Sequence, residues 1–260
     1  MPQDAWNPAQ YERFARERRQ PFDDLVALVE RAPGMRVVDL GCGTGELTAD
    51  LHAALGARET LGLERSANML SRAAAITRPG LRFAQGDIAS FADDAAWDLV
   101  LSNAALQWLP DHELLLARLA RALAPGGQLA VQVPANFGHP AHLMAAEVAA
   151  EEPFARLFTA PPRTASVLPP ERYAELLDDL GFTRQTVRLQ VYGHHLDSRD
   201  DVVEWVRGTT LTAYESALPA DAFAAFVERY RDRLHGVLRD TRPFFYPFKR
   251  ILLWARRDDA

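Results

Sequence analysis

Apolar and polar positions repeat along this chain in two periods, and the changes from one to the other mark out its elements. Short β-branched or apolar runs near 35–40, 59–64, 81–85, 97–102 and 127–133 read as strands. Stretches near 45–55, 66–76 and 111–123 carry the 3.6-residue spacing of helices buried along one side. Such alternation implies right-handed crossovers and a parallel sheet with helices on both faces. Ahead of it, Asp4 to Arg19 reads as an amphipathic helix with Trp6, Tyr11 and Phe14 near one side, and Pro21 is expected to open a second helix, Phe22 to Glu30.

The pattern changes further along. Pro125-Gly126-Gly127 is expected to separate a helix from the fifth strand, and Pro134 to end that strand. Residues 139–165 mix one helical stretch with Pro161-Pro162 and read as a loop-rich cover. Pro169 to Leu180 is a helix stopped by Gly181, and 183–192 alternates as a strand. Two amphipathic helices follow, 198–215 and 219–238, and Phe248 to Arg257 is the last strand. Helices that split a terminal hairpin are placed to act as a lid. The expected architecture is therefore one α/β domain over residues 1–260, doubly wound around a mostly parallel seven-stranded sheet, with cap segments at about 134–168 and 196–246.

Candidate chemistry concentrates at Val37-Val38-Asp39-Leu40-Gly41-Cys42-Gly43-Thr44-Gly45, a buried strand turning into a helix N-terminus. The glycines remove Cβ atoms where the backbone turns tightly and where a ligand must lie against it. A dinucleotide loop would carry a third-spaced glycine at position 46, where this chain has Glu46. A carboxylate there would repel a pyrophosphate held at the helix end, so the loop favours a ligand without phosphates. Leu61-Gly62-Leu63-Glu64 ends a second strand in an acid that can accept two hydrogen bonds from a vicinal diol. Gly86-Asp87-Ile88 and Leu99-Val100-Leu101-Ser102-Asn103 follow at the ends of the third and fourth strands.

Composition narrows the classes. At 260 residues and 48% hydrophobic content the chain has ample core for one elaborated domain. A formal net charge of −6 argues against nucleic acid or anionic membrane as the main partner, which points to a small substrate. Cys42 is the sole cysteine, so no intramolecular disulfide forms, and no Cys/His cluster offers a metal site. No leader-like apolar segment and no run of 18 apolar residues is present, which suggests a cytoplasmic protein, monomeric or weakly dimeric.

Taken in order, Asp39-x-Gly41-x-Gly43-x-Gly45, Glu64, Asp87-Ile88 and Asn103 resemble the four motifs of the class I S-adenosylmethionine-dependent methyltransferases. The resemblance implies that Glu64 holds the ribose hydroxyls, that Asp87 takes the adenine amine while Ile88 covers the ring, and that Asp39, Gly41, Gly43 and Asn103 line the same cofactor. Outside those motifs, Trp6-Asn7-Pro8, Glu17-Arg18, Leu106-Gln107-Trp108-Leu109-Pro110-Asp111-His112, Trp205-Val206 and Pro247-Phe248-x-Arg250 are similar to the trans-aconitate 2-methyltransferases over nearly the whole chain. That likeness adds Arg18 to the cofactor set and implies transfer of a methyl group to a carboxylate of a small polycarboxylic acid, giving a monomethyl ester. A carboxylate is ionised well below neutral pH, so no acid–base residue is nominated.

The acceptor set is less defined. Trp108 is a candidate pocket wall, His194 a candidate contact, and Arg207 and Arg250 candidate cations for the carboxylates. After Trp205-Val206 the chain reads Leu211-Thr212-Ala213 where the family pattern has an Arg-Pro pair, which leaves the carboxylate-binding groups open. A methyltransferase for another acceptor, such as a malonyl group on a carrier protein or a small O- or N-nucleophile, is the rival reading; a non-catalytic cofactor-binding module is the third.

Overall fold

The computed structural model describes residues 15–159 and 166–258, so residues 4–14 of the expected first helix and the Pro161-Pro162 step lie outside the described residues. One seven-stranded sheet runs in the order β3-β2-β1-β4-β5-β7-β6. Its strands are β1 Arg36–Leu40, β2 Glu59–Glu64, β3 Leu81–Gln85, β4 Trp97–Asn103, β5 Leu123–Pro134, β6 Arg184–Leu196 and β7 Phe244–Arg256. β1 pairs in parallel with β2 and β4, β2 with β3 and β4 with β5, while β7 lies antiparallel to β5. The fold is the doubly wound α/β class expected. Strand order reverses between β1 and β4, which sets the ligand-binding switch point beyond their carboxyl ends.

Continuous apolar runs suit strands covered on both faces. Val37, Val38 and Leu40 of β1 and Leu99, Val100 and Leu101 of β4 are buried. The one hydroxyl among them is satisfied, Ser102 Oγ donating to the Leu40 carbonyl at 2.7 Å. The helices are α1 Ala15–Val26, α2 Glu46–Leu55, α3 Ala67–Ala73, α4 His112–Arg121, α5 Pro140–Ala149, α6 Pro170–Asp179, α7 Asp200–Arg207, α8 Leu211–Ala217 and α9 Ala220–Val237.

Four expectations are corrected. α1 passes through Pro21 instead of restarting there. A proline in a helix interior costs about 3 kcal/mol, whereas burying Phe22, Leu25 and Val26 on one side of α1 returns roughly 1.5–3 kcal/mol each. Pro125-Gly126-Gly127 lies within β5, where the ladder to β4 jumps from Trp97↔Leu123 to Leu99↔Gln128, so the segment is a bulge. The expected helix 198–215 is two helices, α7 and α8, divided at Gly208-Thr209-Thr210. The last two strands start or run on further than their apolar patterns, β6 to Leu196 and β7 from Phe244.

Contacts divide the described chain into two compact units. Residues 15–134, 166–190 and 250–258 form a sheet unit, and residues 135–159 and 191–249 a helical unit. The helical unit has its own core, in which Phe226 stacks on Tyr214 with ring centroids 4.9 Å apart and meets Phe154 edge-on at 5.3 Å. Burial pushes the His142 imidazole of this unit down to about 4, with His139 adding a smaller effect of the same sign, while Nδ1 lies 2.9 Å from Thr210 Oγ1. An unfolded histidine takes its proton near pH 6.5 and the folded one only near 4, so this site's stability is complete above pH 6.5 and declines as pH falls toward 4. Between pH 7 and 5 the difference is on the order of 2 kcal/mol. Thermal melts at the two pH values check it: His142→Asn is expected to lose several degrees less than the wild type on acidification, and equal losses would refute the linkage.

Candidate active site

The cofactor motifs all belong to the sheet unit and meet at the carboxyl ends of β1, β2 and β4. The loop after β1 is shaped by backbone conformations that glycine alone adopts without strain: φ is +83° at Gly41, +58° at Gly43 and +81° at Gly45. At Gly41 there is also no room, since a Cβ would come within 2.4 Å of the Ala105 methyl and 3.5 Å of Ile88 Cδ1. Gly41 therefore lets the loop after β4 and the turn after β3 close against the loop after β1. Gly43 is different: the nearest atom to its missing Cβ is Met69 Cε at 3.8 Å. Main chain is exposed there to a ligand.

Glu64 locks this arrangement. Its Oε2 accepts from the Gly43 amide at 3.1 Å and its Oε1 from the Ser66 amide at 2.8 Å. Ser66 in turn caps α3, its Oγ accepting from the Met69 amide at 3.1 Å. Each carboxylate oxygen keeps a further lone-pair direction for a hydroxyl donor, so the residue fits a ribose diol as the sequence suggests. Asp39 lies beneath the loop, 4% exposed, with Oδ2 accepting from Thr48 Oγ1 at 2.6 Å. Burial and the nearby Glu64 charge raise its carboxyl to about 6, against the opposing Thr48 hydrogen bond. Asp39 is thus a support for the loop rather than a group presented to a ligand. Burial likewise pushes the Cys42 thiol upward, so it is no nucleophile at neutral pH.

Asp87 caps the short turn Ile88–Ser90 through Oδ1, which accepts from the Ala89 amide at 2.8 Å, leaving Oδ2 for an amine. Arg118 of α4 donates to the Ile88 carbonyl at 3.3 Å and holds that turn. Asn103 closes β4, and its Oδ1 is buried with no hydrogen-bond partner among the described residues. Arg18 lies in α1, and its side chain is outside the described part of the structure.

The acceptor candidates divide between the units. Trp108 ends the turn after β4 and is 42% exposed. His112 anchors that turn, Nε2 lying 2.9 Å from the Leu106 carbonyl and Nδ1 2.5 Å from Tyr173 Oη, and burial lowers its basicity. Arg250, in β7 of the sheet unit, is only 5% exposed and donates through Nη1 to Gln132 Oε1 at 3.3 Å. In the helical unit, His194 is buried and stacked on Trp205 at 5.2 Å, while Arg207 sits 4.0 Å from Glu204 on a groove of about 570 Å³ lined by Leu218, Phe223 and Val227. That groove contains none of the cofactor motif residues.

Sequence reasoning missed Gln107, His112, Gln132 and Tyr173. The available signal was a polar residue at a position the strand pattern reserves for the core, as in Val131-Gln132-Val133.

Residues 37–127 match the family model described as a methyltransferase domain. The chain is 45% identical over 259 residues to the trans-aconitate 2-methyltransferase of Deinococcus radiodurans, covering 98% of this chain and 99% of that one. To the enzyme of that name from Methylobacterium nodulans it is 43% identical, covering 97% and 98%. A solved structure described as a putative methyltransferase from Bacillus halodurans superposes with a TM-score of 0.61 at 17% identity over 91% of this chain and 98% of that one, a likeness of fold. On the strength of near full-length identity, the chain belongs to the trans-aconitate 2-methyltransferase family, within the class I methyltransferases.

Proposed function

We propose that this protein transfers a methyl group from S-adenosylmethionine to a carboxylate of trans-aconitate, giving the monomethyl ester. The observation that carries the reading is Glu64, bridged between the Gly43 and Ser66 amides at the end of β2 with lone pairs left for a diol, in a chain 45% identical to a trans-aconitate 2-methyltransferase. The cofactor supplies an electrophilic methyl on a sulfonium. The chain's own tasks are positional. Glu64 holds the ribose, Asp87 Oδ2 takes the adenine amine with Ile88 against the ring, the bare main chain of Gly41 and Gly43 admits the cofactor, and Arg18 and Asn103 complete its seat. With an ionised acceptor, in-line placement and exclusion of water account for roughly 7–11 kcal/mol of barrier lowering, and no side chain need remove a proton.

Labelled cofactor offered with a panel of di- and tricarboxylates, amines and alcohols tests the reading. Base-labile label on trans-aconitate is expected, with kcat level from about pH 6.5 to 8.5 because a carboxylate nucleophile does not titrate there. Label only on amines or alcohols, with a rate rising steeply near pH 7, would overturn it. Both Glu64 oxygens already face N–H donors, so Glu64→Gln must turn its NH2 toward one of them. S-Adenosylhomocysteine affinity, read by calorimetry, is expected to fall about five- to 150-fold in Glu64→Gln, as for about 1–3 kcal/mol of mismatched polar groups; unchanged affinity would sink the diol assignment. Arg207→Ala and His194→Ala examine the two candidates of the helical unit. Each is expected to raise the acceptor KM with little change in kcat, and wild-type kinetics in both would remove them from the acceptor set.

A further inference from the structure

β5 carries two glutamines four residues apart on one face of the sheet, Gln128 and Gln132, in an otherwise apolar strand. Both are buried, 3% and 0% exposed. A buried amide is costly unless its polar atoms are paired. Gln128 meets that condition: Oε1 accepts from the Glu30 amide at 2.8 Å and from Trp254 Nε1 at 2.9 Å, and Nε2 donates to the Glu30 carbonyl at 2.8 Å. Gln132 does not. Its Oε1 accepts from Arg250 Nη1 at 3.3 Å, but its Nε2 has no partner among the described residues. Because a guanidinium only donates, Arg250 fixes which way the amide points, and the free end must be the NH2.

The position of that NH2 is informative. Gln132 is the ladder partner of Asn103, so the two side chains rise from the same face of adjacent strands about 4.8 Å apart. Asn103 Oδ1 is itself buried and without a partner among the described residues, as is Gln107 Oε1 in the next turn. Three amide atoms without partners among the described residues thus belong to residues at or just beyond the carboxyl ends of β4 and β5. The loop that follows Asn103 is the one packed on Gly41, through Ala105.

We propose that Gln132 Nε2 holds the reacting carboxylate of the methyl acceptor, with Arg250 kept one residue behind it as the group that orients and polarises the amide. This rests on the polycarboxylate reading above and names a contact for it. In the step it serves, a carboxylate oxygen forms a bond to the methyl carbon as the carbon–sulfur bond breaks, the electron pair of that bond staying on sulfur. A carboxylate and a sulfonium become an ester and a thioether, and no proton moves. Opposite charges therefore disappear on the way to the transition state. A cation set directly on the reacting carboxylate would stabilise the ground state more than the transition state and slow the step. A neutral N–H donor on the oxygen that does not attack fixes the other oxygen's direction at a smaller penalty. Arg250, acting through the amide, strengthens the donor without facing the nucleophile.

The test uses Gln132→Glu and Gln132→Met in the full-length protein. Glutamate matches the length, gives Arg250 an ion-pair partner and removes the donor, so it preserves the fold even if the methionine variant does not. With trans-aconitate, kcat/KM is expected to fall at least 30-fold in each folded variant, most of it in kcat. Calorimetry should show S-adenosylhomocysteine affinity within threefold of wild type. Wild-type kcat in folded Gln132→Glu would overturn the proposal, leaving Gln132 a structural residue. Loss of S-adenosylhomocysteine binding in parallel with activity would also overturn it, by assigning Nε2 to the cofactor. The wild type assayed alongside separates the two levels of inference. If it esterifies trans-aconitate and the variants match it, this proposal alone falls; if it methylates only amines or alcohols, the polycarboxylate reading falls and takes this contact with it.

Discussion

The Glu64 carboxylate, accepting from the Gly43 and Ser66 amides, is the interaction on which the cofactor region depends. It ties the loop after β1 to the start of α3 through two charge-assisted hydrogen bonds, the strong kind. Neither loop could be held so by apolar packing, because both must keep main-chain groups open on one side. The same carboxylate keeps lone pairs with which it can meet a diol. Structure and binding are therefore carried by one residue, and Asp39 bears the consequence. Asp39 is itself out of solvent, and it is chiefly this burial that raises its carboxyl to about 6, the Glu64 charge adding a smaller push and the Thr48 hydrogen bond opposing both.

A second constraint runs along the face of β5. Gln128 is saturated by Glu30 and Trp254, so it serves the fold, closing the sheet against the segment after α1. Gln132, four residues nearer the carboxyl end of β5, has the same side chain and one hydrogen bond among the described residues where Gln128 has three. Identical residues at equivalent depth in one strand differ because the carboxyl end of a strand in such a sheet is where ligands lie. On this face of β5 the unfinished hydrogen bonding lies at the end where the proposed acceptor would finish it.

Much of this was legible in the sequence, for physical reasons that can be named. The strand–glycine loop, Glu64 and Asp87 are local: each depends on a backbone turn or a strand end that a few residues specify, and the structure places all of them together. The central strands were legible because strands covered on both faces need apolar runs, and β6 because its positions alternate. Pro21 and Pro125-Gly126-Gly127 misled because local breakers were overridden by tertiary burial of Phe22, Leu25 and Val26 in one case and absorbed as a bulge against Trp97 in the other. Gln132 carried a local signal, a polar residue inside an apolar strand, but its partner Arg250 is distant along the chain, as Tyr173 is from His112, and no local pattern announces either pairing.

Arginine use gives the last step of the argument. Nearly all the chain's cations are arginines, Lys249 being the one lysine, and several of them stand on exposed faces paired with carboxylates, as Arg172 is with Glu113 and Arg82 with Glu59. Exposed pairs of that kind contribute little, about 0–1 kcal/mol each. Arg250 differs in being 5% exposed. Burying a guanidinium costs several kcal/mol unless hydrogen bonds and charge around it compensate. The Gln132 amide, 3.3 Å from Nη1, is one of the groups that supply this. A polyanionic acceptor held at Gln132 would bring negative charge to the same strand end as this buried guanidinium, so that end gains more from a ligand that brings carboxylates than from one that brings an amine or an alcohol.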